Sequence, residues 1–225
     1  MFSPAKDWNP KQKELNFLLL KLESFNQAIA LCLYMHNQLH NLNPDNGENN
    51  IYRELITDLT PEKIKFRPPK SFASIAWDLW HITRIEDAAA NILIANGEQV
   101  FNENWKTRIK SPVTDTGNAF AKEDVDNFSS KIDAIELINY RKAVGLKTRE
   151  ILENLKPADL KKKPNAENLD RLEPEGVLTA QKDSIWLRDF WAGKTAAGLI
   201  TMPITRHQAV HINDCFKLKE NKCIY

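Results

Sequence analysis

The stretch SFASIAWDLWHITRIEDAAANILIAN, residues 71–96, decides the fold. Apolar side chains recur along it every three or four residues, as they do on one face of an α-helix. They are Ile75, Leu79, Ile82, Ile85, Ala89 and Ile92. Trp77 and Trp80 lie on another side, so most of the circumference is expected to be buried. Ser71 is a favourable N-cap and Gly97 a favourable left-handed C-cap, so the stretch predicts one long buried helix.

Three other long stretches show the same helical period. They are about residues 11–42, 131–155 and 186–220. NPDNGENN, residues 43–50, is expected to end the first of them, and a short helix is expected over residues 51–59. Pro203 predicts a kink or a fresh start inside the last. With seven glycines and no sustained strand pattern, the chain is expected to be one all-α domain, residues 1–225, a four-helix bundle with extra short helices and long loops.

Charge and composition exclude several classes of partner. The 31 Lys and Arg residues nearly balance the 30 Asp and Glu residues, so nothing in the net charge of +1 favours nucleic acid or an anionic membrane. The basic run at residues 161–163 is typical of a solvated loop. No stretch approaches the roughly 20 apolar residues of a membrane span, and the N-terminus has no signal-like apolar region. The sequence predicts a soluble cytoplasmic protein without membrane or nucleic-acid partners.

RHQAVH, residues 206–211, places His207 and His211 four residues apart. On a helix they share a stripe with Cys215, so both rings are expected to point into the bundle. This spacing is used by helix-borne zinc sites, although two ordinary core histidines would show it too. His81, at the edge of the apolar stripe of residues 71–96, is the candidate third ligand. Three histidines leave a coordination position open, as catalytic metals require.

Asp78 and Glu86 lie about one turn to either side of His81. Either could accept a hydrogen bond from a ligand ring and fix its tautomer. The alternative is an ordinary ion pair with Arg84 or Arg206.

A rival histidine pair occurs in HNQLH, where His36 and His40 have the same spacing as His207 and His211. Spacing alone therefore does not decide which pair binds metal. Core packing or pocket lining is favoured for His36 and His40, with helix-end capping a further role for His40.

Other reaction types find little support. There is no GxSxG, P-loop, GxGxxG or HExxH motif. Cys215 could be a nucleophile beside a histidine, but a buried helical cysteine is more often inert. Cys32, Cys215 and Cys223 form no CxxC pair, which argues against disulfides and a structural zinc site. Tyr140 is either a proton donor to the pocket or a core residue, and the sequence names no catalytic residue.

The residues above resemble the DinB-like, or YfiT-like, family of metalloenzymes. The resemblance rests on LTPEKIKFRPPKSFASIAWDLWHITRIEDAAANILI, with residues 64–94 as its core, and on GLITMPITRHQAVHINDCFKLK near the C-terminus. It covers about residues 10–220. It implies an up-down-down-up four-helix bundle whose metal is held by one histidine of the second long helix and two of the last. In this chain those are His81, His207 and His211.

Relatives in that family include thiol-dependent transferases and isomerases that use bacillithiol, mycothiol or glutathione. The resemblance therefore implies a divalent ion, zinc or nickel first, together with a low-molecular-weight thiol cosubstrate and a small-molecule substrate. The leading hypothesis is a metal-dependent thiol S-transferase, with a metal-dependent hydrolase as an alternative. A third hypothesis is a non-enzymatic metal-binding stress-response homodimer that uses the Trp77 and Trp80 face as its interface. In a fourth, the histidines are core residues without metal.

Overall fold

The computed structural model describes residues 2–42 and 50–220. Over these ranges the chain is helical and contains no strand, as the sequence predicts. The α-helices are α1 (Asn9–Leu18), α2 (Phe25–His40), α3 (Ile51–Ile56), α4 (Pro61–Lys65), α5 (Ile75–Asp87), α6 (Glu103–Ile109), α7 (Lys122–Lys131), α8 (Ala134–Asn154), α9 (Ala166–Arg171), α10 (Lys182–Ala192), α11 (Ala196–Leu199) and α12 (His207–Lys219). Turns of π-helix span Pro4–Trp8, Ala88–Ile94 and Ile200–Arg206, and 3₁₀ turns span Leu22–Ser24 and Pro157–Lys161. No described helix is long and apolar enough to cross a membrane.

Four helices surround the main core. α5 packs against α8 and α12, and α2 packs against the same two helices from the other side. Wholly buried side chains such as Leu39, Leu79, Trp80 and Val144 fill the space between them. The up-down-down-up order of helix directions stays a prediction. This packing places the inward faces of α5 and α12 in direct contact, which is what the candidate site requires.

The predicted first helix, residues 11–42, is two helices. α1 ends at Leu18, Lys21 has an extended backbone, and α2 begins at Phe25. The break lets α1 pack against α2 and reach the 200–206 segment, where Gln12 donates to the Thr201 carbonyl. An unbroken helix of this length would be roughly 48 Å long and would extend past the bundle. Asn41, in the left-handed conformation, follows α2, and residues 43–49 of the predicted terminator lie outside the described residues.

The helix that decides the fold begins later than Ser71. Ser74 is the N-cap, since its Oγ accepts the Trp77 N–H at 3.0 Å and lies 2.7 Å from Oγ of Ser129 on α7. An N-cap oxygen has to face the free N–H groups of the first turn, and here Ser74 is the residue that does so. At the other end Asn96, with φ of 55°, takes the left-handed position expected of Gly97. Asparagine is among the few residues that tolerate it.

Pro203 lies inside a π-helical segment, Ile200–Arg206, that joins α11 to α12. In a regular α-helix its ring would collide with the carbonyl of the residue four positions earlier, and the wider π turn avoids this. The side chains of Thr205 and Gln208 donate to carbonyls of the segment, at Ile200 (2.8 Å) and Pro203 (3.3 Å). In place of the predicted kink or fresh start at Pro203, a widened helix continues through it from Ala196; the predicted helix over residues 186–220 is interrupted earlier, where α10 ends at Ala192 and Thr195 caps α11.

Regions predicted as loops contain further short helices. α6 and α7 lie in or after the polar connection that follows Gly97, and α9 lies in the stretch before α10. Trp191 and Leu187 of α10 join a second apolar cluster with Ala88 and Leu199. α10 therefore covers the C-terminal end of α5, whereas α7 lies at its N-terminal end.

Candidate metal centre

His81 on α5 and His207 and His211 on α12 come together. One ligand atom from each ring lies within 4.8 Å of the others, so the three could hold a metal ion. Nε2 of His81 lies 3.3 Å from Nε2 of His207. Two nitrogens bound to a tetrahedral zinc at about 2.0–2.1 Å are separated by roughly this distance. The structure thus assembles the residues selected from the sequence, and their binding of metal stays a prediction.

Hydrogen bonds on the far side of two rings fix their tautomers. Nδ1 of His81 lies 2.7 Å from the Thr116 carbonyl, and Nδ1 of His211 lies 2.6 Å from Oδ1 of Asp78. Because a carbonyl or carboxylate can only accept, each Nδ1 carries the proton. Both Nε2 atoms therefore present a lone pair to the centre of the cluster, as metal-binding histidines do.

Burial keeps the rings of His81 and His207 neutral. It lowers the pKa of His81 to about 3, with the charge of His211 adding to the effect. Burial, followed by the charges of His211 and His81, lowers the pKa of His207 well below its ordinary value. Burial raises the pKa of the Asp78 carboxyl, although its bond from His211 opposes this. Metal ligands have to be unprotonated, so neutral imidazoles near pH 7 suit a divalent ion.

Trp77 holds the His81 ring in place by stacking. The two rings are nearly parallel, with 8° between their planes and 4.9 Å between their centres. The Phe72 ring in turn meets the Trp77 ring edge-on, with 5.1 Å between the ring centres. The His211 side chain keeps 17% of its surface exposed, so the cluster is accessible from one side. Three nitrogen donors with an accessible side suit a zinc or nickel ion that keeps a position for a ligand.

The rival pair forms a second cluster with Glu86. Nε2 of His36 lies 2.8 Å from Oε1 of Glu86, and Nε2 of His40 lies 2.8 Å from Oε2. These three residues are fully buried and could also hold an ion. Of the two carboxylates flanking His81, Asp78 therefore serves the triad and Glu86 faces α2. Arg84, the suggested partner for both, instead pairs with Asp87.

Tyr140 and the cysteines contribute no ligand atom to the triad in the described part of the chain. The Tyr140 hydroxyl donates to Asp87 at 2.6 Å, which makes it a core residue. Burial raises the pKa of Cys32 to about 12 and that of Cys215 well above its ordinary value, so both stay thiols. Cys223 lies outside the described residues.

The proposed aromatic interface is also corrected. Trp77 is 7% exposed and Trp80 is wholly buried, so they form no exposed face. Sequence reasoning did not identify the Thr116 carbonyl or the pairing of Glu86 with α2. The only signal for the latter is that Glu86 follows Asp78 by eight residues, which repeats the inward face of α5.

Comparison with protein families gives one match. Residues 48–181 match the model of the DinB superfamily. The matched range covers more than half of the chain and includes Asp78, His81 and Glu86, but ends before His207. The search of curated proteins found no match.

Proposed function

Since this chain belongs to the DinB superfamily, we propose that it is a metal-dependent enzyme whose divalent ion is held by His81, His207 and His211. The observation that carries the proposal is the convergence of three imidazoles from α5 and α12, two of them held by hydrogen bonds from Nδ1 to Thr116 and Asp78. Zinc or nickel suits this donor set best. His207 is the less constrained ligand, since its Nδ1 is buried without a hydrogen-bond partner.

The nucleophile in this proposal is a low-molecular-weight thiol. A divalent ion in the site supplies Lewis acidity, which lowers the pKa of a bound thiol or water. Cys32 and Cys215, the two cysteines in the described part of the chain, are buried and protonated. Neither is a suitable attacking group, because the thiolate is the reactive form. A thiol S-transferase draws its sulfur from a cosubstrate, which agrees with this arrangement.

The chain's own residues prepare the site. Asp78 and the Thr116 carbonyl hold protons on the Nδ1 atoms of His211 and His81, so that their Nε2 atoms face the ion. Trp77 shields one face of His81 from water and restricts its rotation. The thiol and the electrophile approach the site from the side on which His211 is exposed to solvent.

The test combines metal content with thiol conjugation. Purified protein loaded with zinc or nickel is assayed with glutathione and, separately, with bacillithiol or mycothiol against 1-chloro-2,4-dinitrobenzene. We expect about one equivalent of metal in the triad and a conjugation rate that His207→Ala abolishes. Val210→Ala is the matched control, because Val210 lies between the two histidines on α12 and is 48% exposed. A His207→Ala protein with unchanged metal affinity in the triad would refute the site.

A hydrolase is the second candidate, because the same open position could bind water instead of a thiol. Release of nitrophenol from nitrophenyl esters by the zinc protein, without added thiol and lost in His207→Ala, would identify it. A homodimer stays a proposal that requires a face other than Trp77 and Trp80, and light scattering after size exclusion measures it. A metal-loaded dimer inert toward every thiol and ester would instead favour the non-enzymatic stress-response module.

A further inference from the structure

The cluster of His36, His40 and Glu86 is set apart from the triad. Its two histidines lie one turn apart on α2 and aim Nε2 at separate oxygens of Glu86 on α5, each over 2.8 Å. The two rings are 4.4 Å apart between centres, with 33° between their planes. Glu86 and His36 have no exposed surface, and His40 is 3% exposed. The cluster is thus enclosed by the bundle.

The donor types are those of a known metal-binding set. Two imidazoles and one glutamate are the protein ligands of several zinc enzymes, and histidines four residues apart on one helix are a common way to supply two of them. Both Glu86 oxygens face a ring nitrogen, Nε2 of His36 or His40, which carries the proton of the hydrogen bond in the metal-free cluster; with those protons moved to Nδ1 the cluster offers four donor atoms. A separation of 2.8 Å is a hydrogen bond, whereas two ligands of a tetrahedral ion at about 2.1 Å lie roughly 3.4 Å apart, so each pair has to open by about half an ångström to admit an ion.

We propose that His36, His40 and Glu86 form a second, closed site for a divalent metal ion, which joins α2 to α5. With two ring nitrogens and a bidentate carboxylate the ion has no position facing solvent. Such a site stabilises the fold and does not bind substrate. It is independent of the triad, because the two sites share no ligand.

The surroundings are shaped for the histidine rings. A Cβ added to Gly145 of α8 would lie 2.6 Å from Nδ1 of His40, so the absence of a side chain there makes room for the ring. Burial disfavours charge on Glu86, yet the nearby His40 and His36 hold its pKa well below its ordinary value. Burial lowers the pKa of His40 to about 3. The carboxylate is therefore ionised and that imidazole neutral, as an ion requires.

Two features predict weaker binding here than at the triad. The buried guanidinium of Arg141 acts on Glu86 and His40 and adds positive charge to the region. Binding through both Nε2 atoms also puts the ring protons on Nδ1 of His36 and His40, which are buried without hydrogen-bond partners. At the triad only His207 has such an Nδ1, since those of His81 and His211 have acceptors.

The two sites are separated along one helix. Asp78 and Glu86 are eight residues apart on α5, a rise of roughly 12 Å. An ion at one site therefore does not bridge to the other, and the equivalents can be counted independently.

The test is metal counting with variants that remove one site at a time. Protein refolded in excess zinc, then gel-filtered, is analysed by mass spectrometry for metal per chain. We expect two equivalents in the wild type, one in His207→Ala/His211→Ala and one in Glu86→Gln. Glu86→Gln keeps the size and an oxygen of the side chain. Val210→Ala, on the exposed face of α12, should keep two equivalents.

The His207→Ala/His211→Ala variant tests the inference even when Glu86→Gln fails to fold. It lacks two of the triad's ligands, so any zinc that it binds tightly has to lie at another site. X-ray absorption of its zinc should show two imidazoles and oxygen neighbours only. A folded double variant without zinc would overturn the second site and leave the triad untouched. If the wild type and the double variant each hold one equivalent, the ion of the wild type is not in the triad. That result would support the second site and contradict the proposed function.

Discussion

Oδ1 of Asp78 lies 2.6 Å from Nδ1 of His211, so a carboxylate on α5 orients a ring on α12. Asp78 is 1% exposed, and its charge has been removed from water to make this contact. The same helix contributes His81 one turn later, so α5 supplies both a candidate ligand and the group that orients another. The packing of α5 against α12 therefore determines how the ring nitrogens of His81, His207 and His211 are placed relative to one another.

Asp78→Ala is expected to weaken metal binding at the triad by about 10- to 100-fold, because the His211 ring loses its acceptor. Asp78→Asn, which keeps an oxygen acceptor without the charge, should give a smaller loss. Competition against a chromophoric chelator measures both. Glu153→Gln, an exposed carboxylate of α8 that pairs with Arg149, is the matched control and should bind as the wild type does. Equal affinities for Asp78→Ala and wild type would contradict the orienting role.

Ser74→Ala is expected to lower the free energy of unfolding by about 1 kcal/mol, because α5 loses the acceptor for the Trp77 N–H. The loss of the contact with Ser129 acts in the same direction. Urea unfolding followed by circular dichroism gives the value. Ser130→Ala, at an exposed position of α7, should change it by a few tenths of a kcal/mol at most. A Ser74→Ala protein as stable as the Ser130→Ala protein would show that Ser74 is not the cap.

Gly145→Ala is expected to destabilise the protein by about 1–3 kcal/mol, because the new methyl group would meet the His40 ring at 2.6 Å. In an open helix the same change would be favourable by roughly 1 kcal/mol, so the two effects differ in sign. Urea unfolding of metal-free protein distinguishes them. For comparison, Gly193→Ala places its Cβ no closer than 3.6 Å to its neighbours and should be tolerated. A stabilised Gly145→Ala protein would mean that His40 does not occupy this position.

Stability of the metal-free protein should fall as the pH drops below about 6.5. The pKa of His40 is lowered by burial from 6.5 to about 3 in the folded chain, so between these values the unfolded chain binds the extra proton. The stabilisation is complete above the unfolded pKa and is lost progressively as the pH falls toward 3. The low pKa of Glu86 acts in the same direction below about 4.5. Unfolding in urea between pH 4 and 8 gives the slope, to which His81 and His207 contribute in the same direction, and His40→Gln should remove part of it. An unchanged slope in that variant would assign the acid sensitivity to other groups.

The sequence predicts the helical class from the regular period of its apolar residues, and the family resemblance, added to the stripes on α5 and α12, implies the three histidines that meet. It does not predict the break after Leu18, where neither glycine nor proline interrupts the pattern and the packing of α1 decides. The sequence predicts Ser71 as the N-cap, one turn before the observed cap, Ser74. Both are serines at the start of the helical pattern, and only the structure shows which hydroxyl oxygen faces the Trp77 N–H.

Hydrogen-bond partners from segments that lie far apart in the chain cannot be predicted from local sequence patterns. Thr116 contributes a backbone carbonyl, which no side-chain pattern reports. The sequence does not show which of the two histidine pairs contacts Glu86. The packing of α2 against the bundle brings His36 and His40 to it. Spacing identified four of the five histidines that take part in a cluster, and His81 was selected by its place beside the apolar stripe of α5, but tertiary contacts decided which carboxylate joins which pair.

The π-helical segment Ile200–Arg206 also matters for comparing this chain with others. A π turn holds about one residue more than an α turn, so residues on either side of it do not follow one uniform period. A helical wheel drawn at about 100° per residue from Ala196 onward would rotate His207 and His211 away from their true face. When a relative has a regular α-helix here, the alignment needs a one-residue gap within this segment before its histidines correspond to His207 and His211.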